Sequence, residues 1–324
     1  MFDKGHPELS IIVPCYNEEA VLPEFMKRMD AACRACVGSN FEILLVNDGS
    51  RDQTLDIIRT FSAANANVVG VDLFRQHGHQ LAVTAGMQLC RGRRVMIIDA
   101  DLQDPPELLP DFMAKMDEGY DVVYGQRRSR KGETWFKKMT ASLFYRGLKL
   151  LTETDIPLDT GDFRLITRQI VDYMQDMPES HRFLRGMVAW IGGRQTALVY
   201  DREARFAGTT HYTPRKVAAL ALEAVTSFSA APLRLSMLMA FVATTIAMVL
   251  LVYVFISYFY YDSVPGWASL GTIVLFFSAV QLFCLGIMGE YIGRIYFEGK
   301  QRPITMIREV ISQNTMNQEN RQDV

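Results

Sequence analysis

The chain has 324 residues, 49% hydrophobic and 22% charged, with 34 basic against 36 acidic side chains and a formal net charge of −2. That length supports roughly two ordinary domains of about 150 residues each and excludes a mini-protein that needs disulfide or metal staples. The near-neutral balance argues against a protein that coats polyanions, so nucleic acid is not an expected partner.

Residues 1–10 are polar, carry Asp3, Lys4 and Glu8, and lack the apolar core of a signal peptide. The chain then alternates. Residues 9–13 read as a strand, 19–36 as a helix, 41–46 as a strand, 54–63 as a helix, 68–74 as a strand, 81–90 as a helix and 94–98 as a strand. Such βαβ repetition predicts an α/β fold with a mainly parallel sheet, and sheets of this kind bind ligands beyond the carboxyl ends of their strands. Polar clusters fall at those ends, over 14–19, 47–52 and 99–104. Five scattered cysteines give no disulfide framework and favour a reducing compartment. Cys33 and Cys36 form a C-x-x-C inside a helical pattern, without a second pair at zinc spacing, and read as two small helix-face residues.

Farther on the chain changes character. No charged residue occurs over 235–261, 27 positions, or over 267–289, 23 positions. Both runs exceed the roughly 20 residues that cross a hydrocarbon core of about 30 Å, so two membrane helices are expected. Tyr258, Phe259, Tyr260, Tyr261 and Trp267 cluster around the connection 262–266, where amphipathic rings suit an interface. Arg234 precedes the first run, Arg294, Lys300 and Arg302 follow the second, and the connection carries only Asp262. The bias of basic residues predicts a plasma-membrane protein with both termini and the first domain cytoplasmic. Residues 213–228 put Val217, Leu220, Ala224 and Phe228 on one stripe, as a helix lying on a membrane or covering a domain would. After Met306 the tail is rich in Gln and Asn and is expected to be poorly ordered. The predicted organisation is thus a first domain over 1–212, a juxtamembrane helix within 213–234, two spans, and a cytoplasmic tail over 293–324.

Two motifs at strand ends carry chemistry. Asp99-Ala-Asp101-Leu-Gln103-Asp104-Pro-Pro directly follows an apolar strand. Alternating carboxylates there offer hard oxygen ligands for Mg²⁺ or Mn²⁺ and, through the ion, for a diphosphate. In Asn47-Asp48-Gly49-Ser50, Gly49 permits a tight turn that leaves Asp48 free to accept hydrogen bonds from a ribose or base, while Ser50 or Asp52 could simply cap a helix. No G-x-G-x-x-G follows the first strand and no P-loop signature occurs.

Val13-Pro14-Cys15-Tyr16-Asn17-Glu18-Glu19, the Asn47–Ser50 turn and the Asp99–Pro106 segment together resemble family 2 glycosyltransferases of the GT-A fold. Gly161-Asp162-Phe163-Arg164-Leu165, Phe183-Leu184-Arg185-Gly186, Trp190-Ile191-Gly192-Gly193, the segment 205–210 and Thr226-Ser227-Phe228-Ser229 narrow the resemblance to polyprenyl-phosphate glycosyltransferases. The chain is similar especially to bactoprenol glucosyltransferases with two C-terminal spans, and also to dolichol-phosphate mannose synthases, over about residues 9–302. Two departures stand out: Asn47 occupies a position where many relatives carry Asp, and His211 one where they carry Lys.

The resemblance implies an inverting transfer of a hexose, expected to be glucose from UDP-glucose, from a nucleotide-sugar to undecaprenyl or another polyprenyl phosphate. Carried over by position, Pro14, Tyr16, Glu18, Asp48 and Asp99 hold the nucleotide-sugar, and Asp99, Asp101 and Gln103 surround Mg²⁺ or Mn²⁺ and the diphosphate. Arg127, Arg164, Arg205 and His211 collect phosphate charge from donor or acceptor, although the basic run 126–131 around Arg127 reads equally as a mobile loop near anionic lipid heads, and Arg205 is favoured over His211 because a neutral His grips phosphate weakly near pH 7. Asp162, with Asp101 the catalytic candidate, orients the acceptor or takes its last proton, against an N-cap role before Phe163. The bilayer is an expected partner and a homo-oligomer is left open. Two other readings compete: a processive polysaccharide synthase, disfavoured by the lack of Gln-x-x-Arg-Trp and by having only two spans, and a non-catalytic membrane scaffold that binds sugar nucleotides.

Overall fold

A computed structural model describes residues 6–128, 160–180, 182–201, 231–260 and 266–313. Its strands are β1 (Leu9–Cys15), β2 (Phe41–Asn47), β3 (Val68–Leu73), β4 (Arg94–Ile97), β5 (Val122–Arg127), β6 (Thr160–Thr167), β7 (Gln195–Tyr200) and β8 (Ile307–Ile311). Its helices are α1 (Leu22–Val37), α2 (Thr54–Ala64), α3 (His79–Leu89), α4 (Leu109–Asp117), α5 (Arg168–Asp176), α6 (Leu184–Ile191), α7 (Ala231–Tyr260) and α8 (Trp267–Gly299). All seven sequence-predicted elements of the first half are present, with no end displaced by more than three residues.

The strands form one mixed sheet in the order β7-β5-β6-β4-β1-β2-β3-β8. β1 runs parallel to β2 and β4, β2 to β3, and β5 to β7, whereas β6 and β8 are antiparallel to their neighbours. Every residue of β2 and all but Pro14 of β1 are buried, as expected of apolar strands covered on both faces. α1 covers one face with Leu22, Phe25, Met26, Met29 and Cys33, a helical stripe that absorbs one cysteine of the C-x-x-C into the core. All five cysteines are free thiols, in keeping with the absence of a predicted disulfide framework. Phe163 on β6 packs its ring 4.6 Å from Phe112 and 5.6 Å from Tyr200, joining three elements beneath the sheet's carboxyl edge. Fully burying a side chain of that size contributes about 1.5–3 kcal/mol.

The expectation of a poorly ordered tail after Met306 fails at its start. Residues 307–311 form β8, antiparallel to β3, with Ile311 buried. The Gln- and Asn-rich composition averages over the whole tail and hides a five-residue segment whose strand pairing covers an otherwise open sheet edge. Arg59 on α2 pairs with Glu309 at 3.2 Å and Thr305 donates to Gln88 on α3 at 2.8 Å, fastening the segment further.

The chain divides into two compact units: the sheet with α1 to α6, including β8, and the long helices α7 and α8. Pro232–Tyr253 and Phe276–Gly299 are each long and apolar enough to cross a membrane. At a rise of 1.5 Å per residue, the 30 residues of α7 and 33 of α8 span about 45 and 50 Å. α8 continues ten residues beyond the expected end at 289, carrying Glu290, Arg294 and Glu298 in helical form. Cys284 Sγ lies 3.5 Å from the Ser236 carbonyl oxygen across the pair. Met237, Phe241, Leu282 and Ile295 expose apolar side chains. The predicted surface helix at 213–228 lies outside the described residues.

Candidate active site

Two of the polar clusters foreseen at the strand ends, 14–19 and 47–52, meet. Past β1, Asn17 takes a left-handed conformation at φ 56°, receives the Arg51 N–H on Oδ1 at 2.8 Å and donates its own N–H to Ser50 Oγ at 3.1 Å. Glu18 N donates to Thr54 Oγ1 at 2.9 Å, and Glu19 Oε2 accepts from Gln53 N at the same distance. These bonds fasten the loop bearing Pro14, Tyr16 and Glu18 onto the turn that follows β2. Tyr16 is exposed there, and Pro14 and Glu18 are half-buried.

Asp48 is buried, and its carboxylate is not free as the sequence reading expected. Oδ1 accepts from His77 N at 2.6 Å and Oδ2 from Gly78 N at 2.9 Å. A desolvated carboxylate requires donors, and the nearest are backbone amides of the loop leaving β3. Desolvation pushes its pKa up although those two amides oppose the shift. Gly49, at φ 67°, lies so near this loop that a Cβ would sit 2.7 Å from Gln76 N and 2.9 Å from Arg75 C. Asp48 and Gly49 therefore shape the Arg75–Gly78 loop and with it the start of α3.

α3 opens with two residues that the sequence reading passed over. His79 places Nδ1 3.5 Å from Asp99 Oδ1 and Nε2 3.0 Å from Asp162 Oδ2. Gln80 donates from Nε2 to Asp162 Oδ2 at 2.9 Å while its Oε1 accepts from Leu184 N at 3.0 Å. On the other side Arg185, from α6, donates from Nε to Asp162 Oδ1 at 2.8 Å. Arg164 lies 3.8 Å from the same oxygen and donates to the Gly161 carbonyl at 3.0 Å.

This arrangement sets the charges. Burial opposes ionisation of Asp162, yet Arg185 and His79 outweigh it and hold the carboxyl well below the usual range. Burial would likewise lower His79, but Asp99 and Asp162 raise it to about 9, so the imidazole is a cation at neutral pH. Asp99 goes up through burial and the neighbouring charges of Asp162, Asp101 and Asp104, against the pull of His79. Burial brings Arg164 down to about 10, leaving it charged.

Asp101 Oδ1 accepts from Gln103 N at 3.1 Å across a turn in which Leu102 has φ 56°. Asp104 is buried, accepts a hydrogen bond from the Tyr200 hydroxyl and lies 3.8 Å from Arg127 Nη2. Asp104 and Asp162 are buried against protein partners, and Asp99, which faces His79, and Asp101 stand half-buried at the β4 exit. Among the described residues no group of three or more His, Cys, Asp or Glu side chains is placed to hold a metal. A divalent cation nevertheless fits two neighbouring carboxylates at the β4 exit, because Mg²⁺ and Mn²⁺ complete their shells with water and substrate phosphate. Arg127 Nε and Arg164 Nε are buried without a hydrogen-bond partner among the described residues. Arg205 and His211 lie outside the described residues.

The family model for glycosyl transferase family 2 matches residues 10–174, which contain β1, the Asp48 turn, the Asp99–Asp104 segment and Asp162. The chain belongs to glycosyl transferase family 2. It is therefore a transferase, and its mixed sheet with alternating helices is the GT-A fold of that family. A second model, for the GtrB C-terminal hairpin, matches residues 231–295 of this family 2 glycosyltransferase, spanning α7 and most of α8.

The similar proteins include a glycosyltransferase of Bacillus subtilis, YkcC, 44% identical over 94% of each chain. The bactoprenol glucosyl transferase of Shigella phage SfV is 35% identical over 93% of this chain and 98% of its own. A prophage bactoprenol glucosyl transferase homolog of Escherichia coli K12 is 34% identical over 94% of this chain and 99% of its own. Among solved structures, S. aureus TarS 1-349 in complex with UDP-GlcNAc superposes with a TM-score of 0.46 at 18% identity, covering 68% of this chain and 66% of that one.

Proposed function

We propose that this family 2 glycosyltransferase moves a hexose, glucose from UDP-glucose, onto undecaprenyl phosphate or a related polyprenyl phosphate. The observation that carries the reading is the end-to-end likeness to the Shigella phage SfV bactoprenol glucosyl transferase, 98% of whose length is matched, hairpin included. A soluble sugar-nucleotide transferase has no need of two apolar helices, whereas an enzyme whose acceptor keeps its tail in hydrocarbon does. In this reading α7 and α8 cross the plasma membrane, and the sheet and both termini are cytoplasmic.

The acceptor monoester is largely doubly ionised near pH 7, its second pKa being close to 6. One of its oxygens attacks the anomeric carbon from the face opposite the leaving group. The C1–O bond to the nucleoside diphosphate breaks, its electron pair leaves with that oxygen, and the configuration inverts. Because the attacking oxygen carries no proton, the reaction needs no strong base. That agrees with Asp162, whose charge is stabilised by Arg185, His79 and Gln80, acting to orient its partners and not to accept a proton.

Pro14, Tyr16 and Glu18 would line the nucleotide, with Asp48 shaping the adjoining loop. Asp99, Asp101 and Gln103 would hold Mg²⁺ or Mn²⁺, which when bound neutralises charge developing on the departing diphosphate. Arg127 and Arg164, with Arg205 and His211, would receive phosphate oxygens of donor or acceptor.

The test is to incubate the purified full chain in detergent with UDP-, GDP- and other nucleotide-sugars, with and without undecaprenyl phosphate. Lipid-dependent release of UDP from UDP-glucose supports the reading. Release that elongates a polymer without lipid phosphate supports a processive synthase, and nucleotide binding without turnover supports a scaffold.

A further inference from the structure

We infer that the strand following the long helices is part of the donor site, with Arg308 as a positioning residue for the loop that receives the nucleotide. The inference rests on the reading of the chain as a nucleotide-sugar transferase. β8 joins the sheet through β3, whose carboxyl end gives rise to the Arg75–Gly78 loop. At that end Asp72 is 1% exposed and its two oxygens are divided between two segments. Oδ1 accepts from Asn47 Nδ2 at 2.7 Å, and Oδ2 from Arg308 Nη1 at 3.2 Å. Asn47 also receives the Ser50 N–H at 3.2 Å, so the β2 turn and β8 are linked through one buried carboxylate.

Arg308 spans the junction as a fork. Its Nη2 donates to the Phe74 carbonyl at 3.0 Å and its guanidinium lies 5.3 Å from the centre of the Phe74 ring, while Phe74 N donates to the Met306 carbonyl at 3.0 Å. Phe74 is the residue from which the loop departs. The β3–β8 ladder shifts register between Asp72 and Leu73, and such irregularities re-aim the residues that follow. The next side of the loop is held by Asp48, which takes the His77 and Gly78 amides, and the helix beyond begins with His79 and Gln80. Arg308 thus fixes one end of a five-residue segment whose other end carries site residues. An exposed edge strand needing only protection from aggregation would require no buried carboxylate as its partner.

Calorimetric titration of UDP into the full-length protein, beside steady-state kinetics, tests the inference with three variants. Arg308→Ala should raise the Kd for UDP and the KM for UDP-glucose by about three- to tenfold, as loss of a half-exposed forked contact implies, leaving the KM for lipid phosphate unchanged. Arg308→Lys keeps the charge without the fork and should fall between wild type and Arg308→Ala. Glu309→Gln removes the ion pair to Arg59 on the same strand and should match wild type. Equal Kd values in all variants overturn the inference, as does a loss in Glu309→Gln equal to that in Arg308→Ala, which would indicate generic strand docking. Wild-type protein that binds UDP but gives no lipid product contradicts the proposed acceptor and leaves the donor-site comparison standing. Wild-type protein that binds neither UDP nor UDP-glucose removes the basis of both.

Discussion

Arg185 grips Asp162 from two nitrogens, Nε to Oδ1 at 2.8 Å and Nη2 to Oδ2 at 3.3 Å, bringing the start of α6 against β6. The pairing keeps a 7% exposed carboxylate ionised and ties together the segments around Asp162 and Arg185. Removing the arginine would take from a buried carboxylate one of its charged partners, leaving His79 and Gln80. Arg185→Ala should lower stability by about 1–2 kcal/mol, the full charge-assisted value being reduced because the guanidinium is partly in water. The midpoint of thermal unfolding reads this directly. Arg185→Lys should recover only part, since an ammonium cannot serve both carboxylate oxygens in the same geometry. An unchanged midpoint in Arg185→Ala would show that the pair contributes nothing to holding Asp162.

His79 gives the site a pH signature. Its pKa is raised from 6.5 to about 9 in the folded state, so its protonated form stabilises the fold. That contribution is fully present below the unfolded value of about 6.5 and is lost as pH rises through the folded value near 9. With divalent ions chelated, the stability difference between wild type and His79→Gln should therefore shrink from pH 6.5 to 9.5. A difference that grows over this window would reverse the assigned charge.

Gly49→Ala should disturb the Arg75–Gly78 loop more than the turn itself. The added methyl would meet backbone atoms Gln76 N and Arg75 C at under 3.0 Å, and the φ of 67° disfavours any L side chain. A cost of about 1–3 kcal/mol is expected, with weaker UDP binding measured by calorimetry. Gly38→Ala, also at positive φ but with open space around its Cβ, should lose stability without losing UDP affinity.

Asp101→Asn should leave the unfolding midpoint close to wild type, because the side chain is half-buried at the β4 exit and its loss removes repulsion from Asp99. Transfer should fall by about a hundredfold or more, and Mn²⁺ binding followed by electron paramagnetic resonance should weaken in parallel. Retained Mn²⁺ affinity with lost activity would move Asp101 from metal ligation to another role.

Much of this architecture was legible in the sequence because parallel strands buried on both faces write themselves as short apolar runs, as β1, β2 and β4 do over Ile11–Val13, Ile43–Val46 and Val95–Ile97. Asp99 and Asp101 were legible for the same reason, because they follow such a run, whereas Asp162, the third residue of β6, was legible only through the resemblance carried by Gly161–Leu165. His79 was not, because its significance lies in contacts with Asp99 and Asp162, far apart in sequence, and its loop offers only a His-Gly-His triplet. Arg185 sat within a recognisable segment, but nothing in its spacing names Asp162 as its partner. The charge state of Asp162 follows from Arg185 and His79, neighbours that only the fold assembles. β8 was hidden by the composition of the residues after it, and an edge strand of five residues leaves little periodicity to detect.

The measurement that bears most directly on the account is the chemical identity of the product. The purified chain, given UDP-glucose, undecaprenyl phosphate and Mn²⁺, should yield by mass spectrometry a lipid heavier by one hexose, with one UDP released per lipid consumed and the anomeric configuration inverted relative to the donor. A product with several hexoses per lipid, or UDP release that ignores the lipid phosphate, would contradict it.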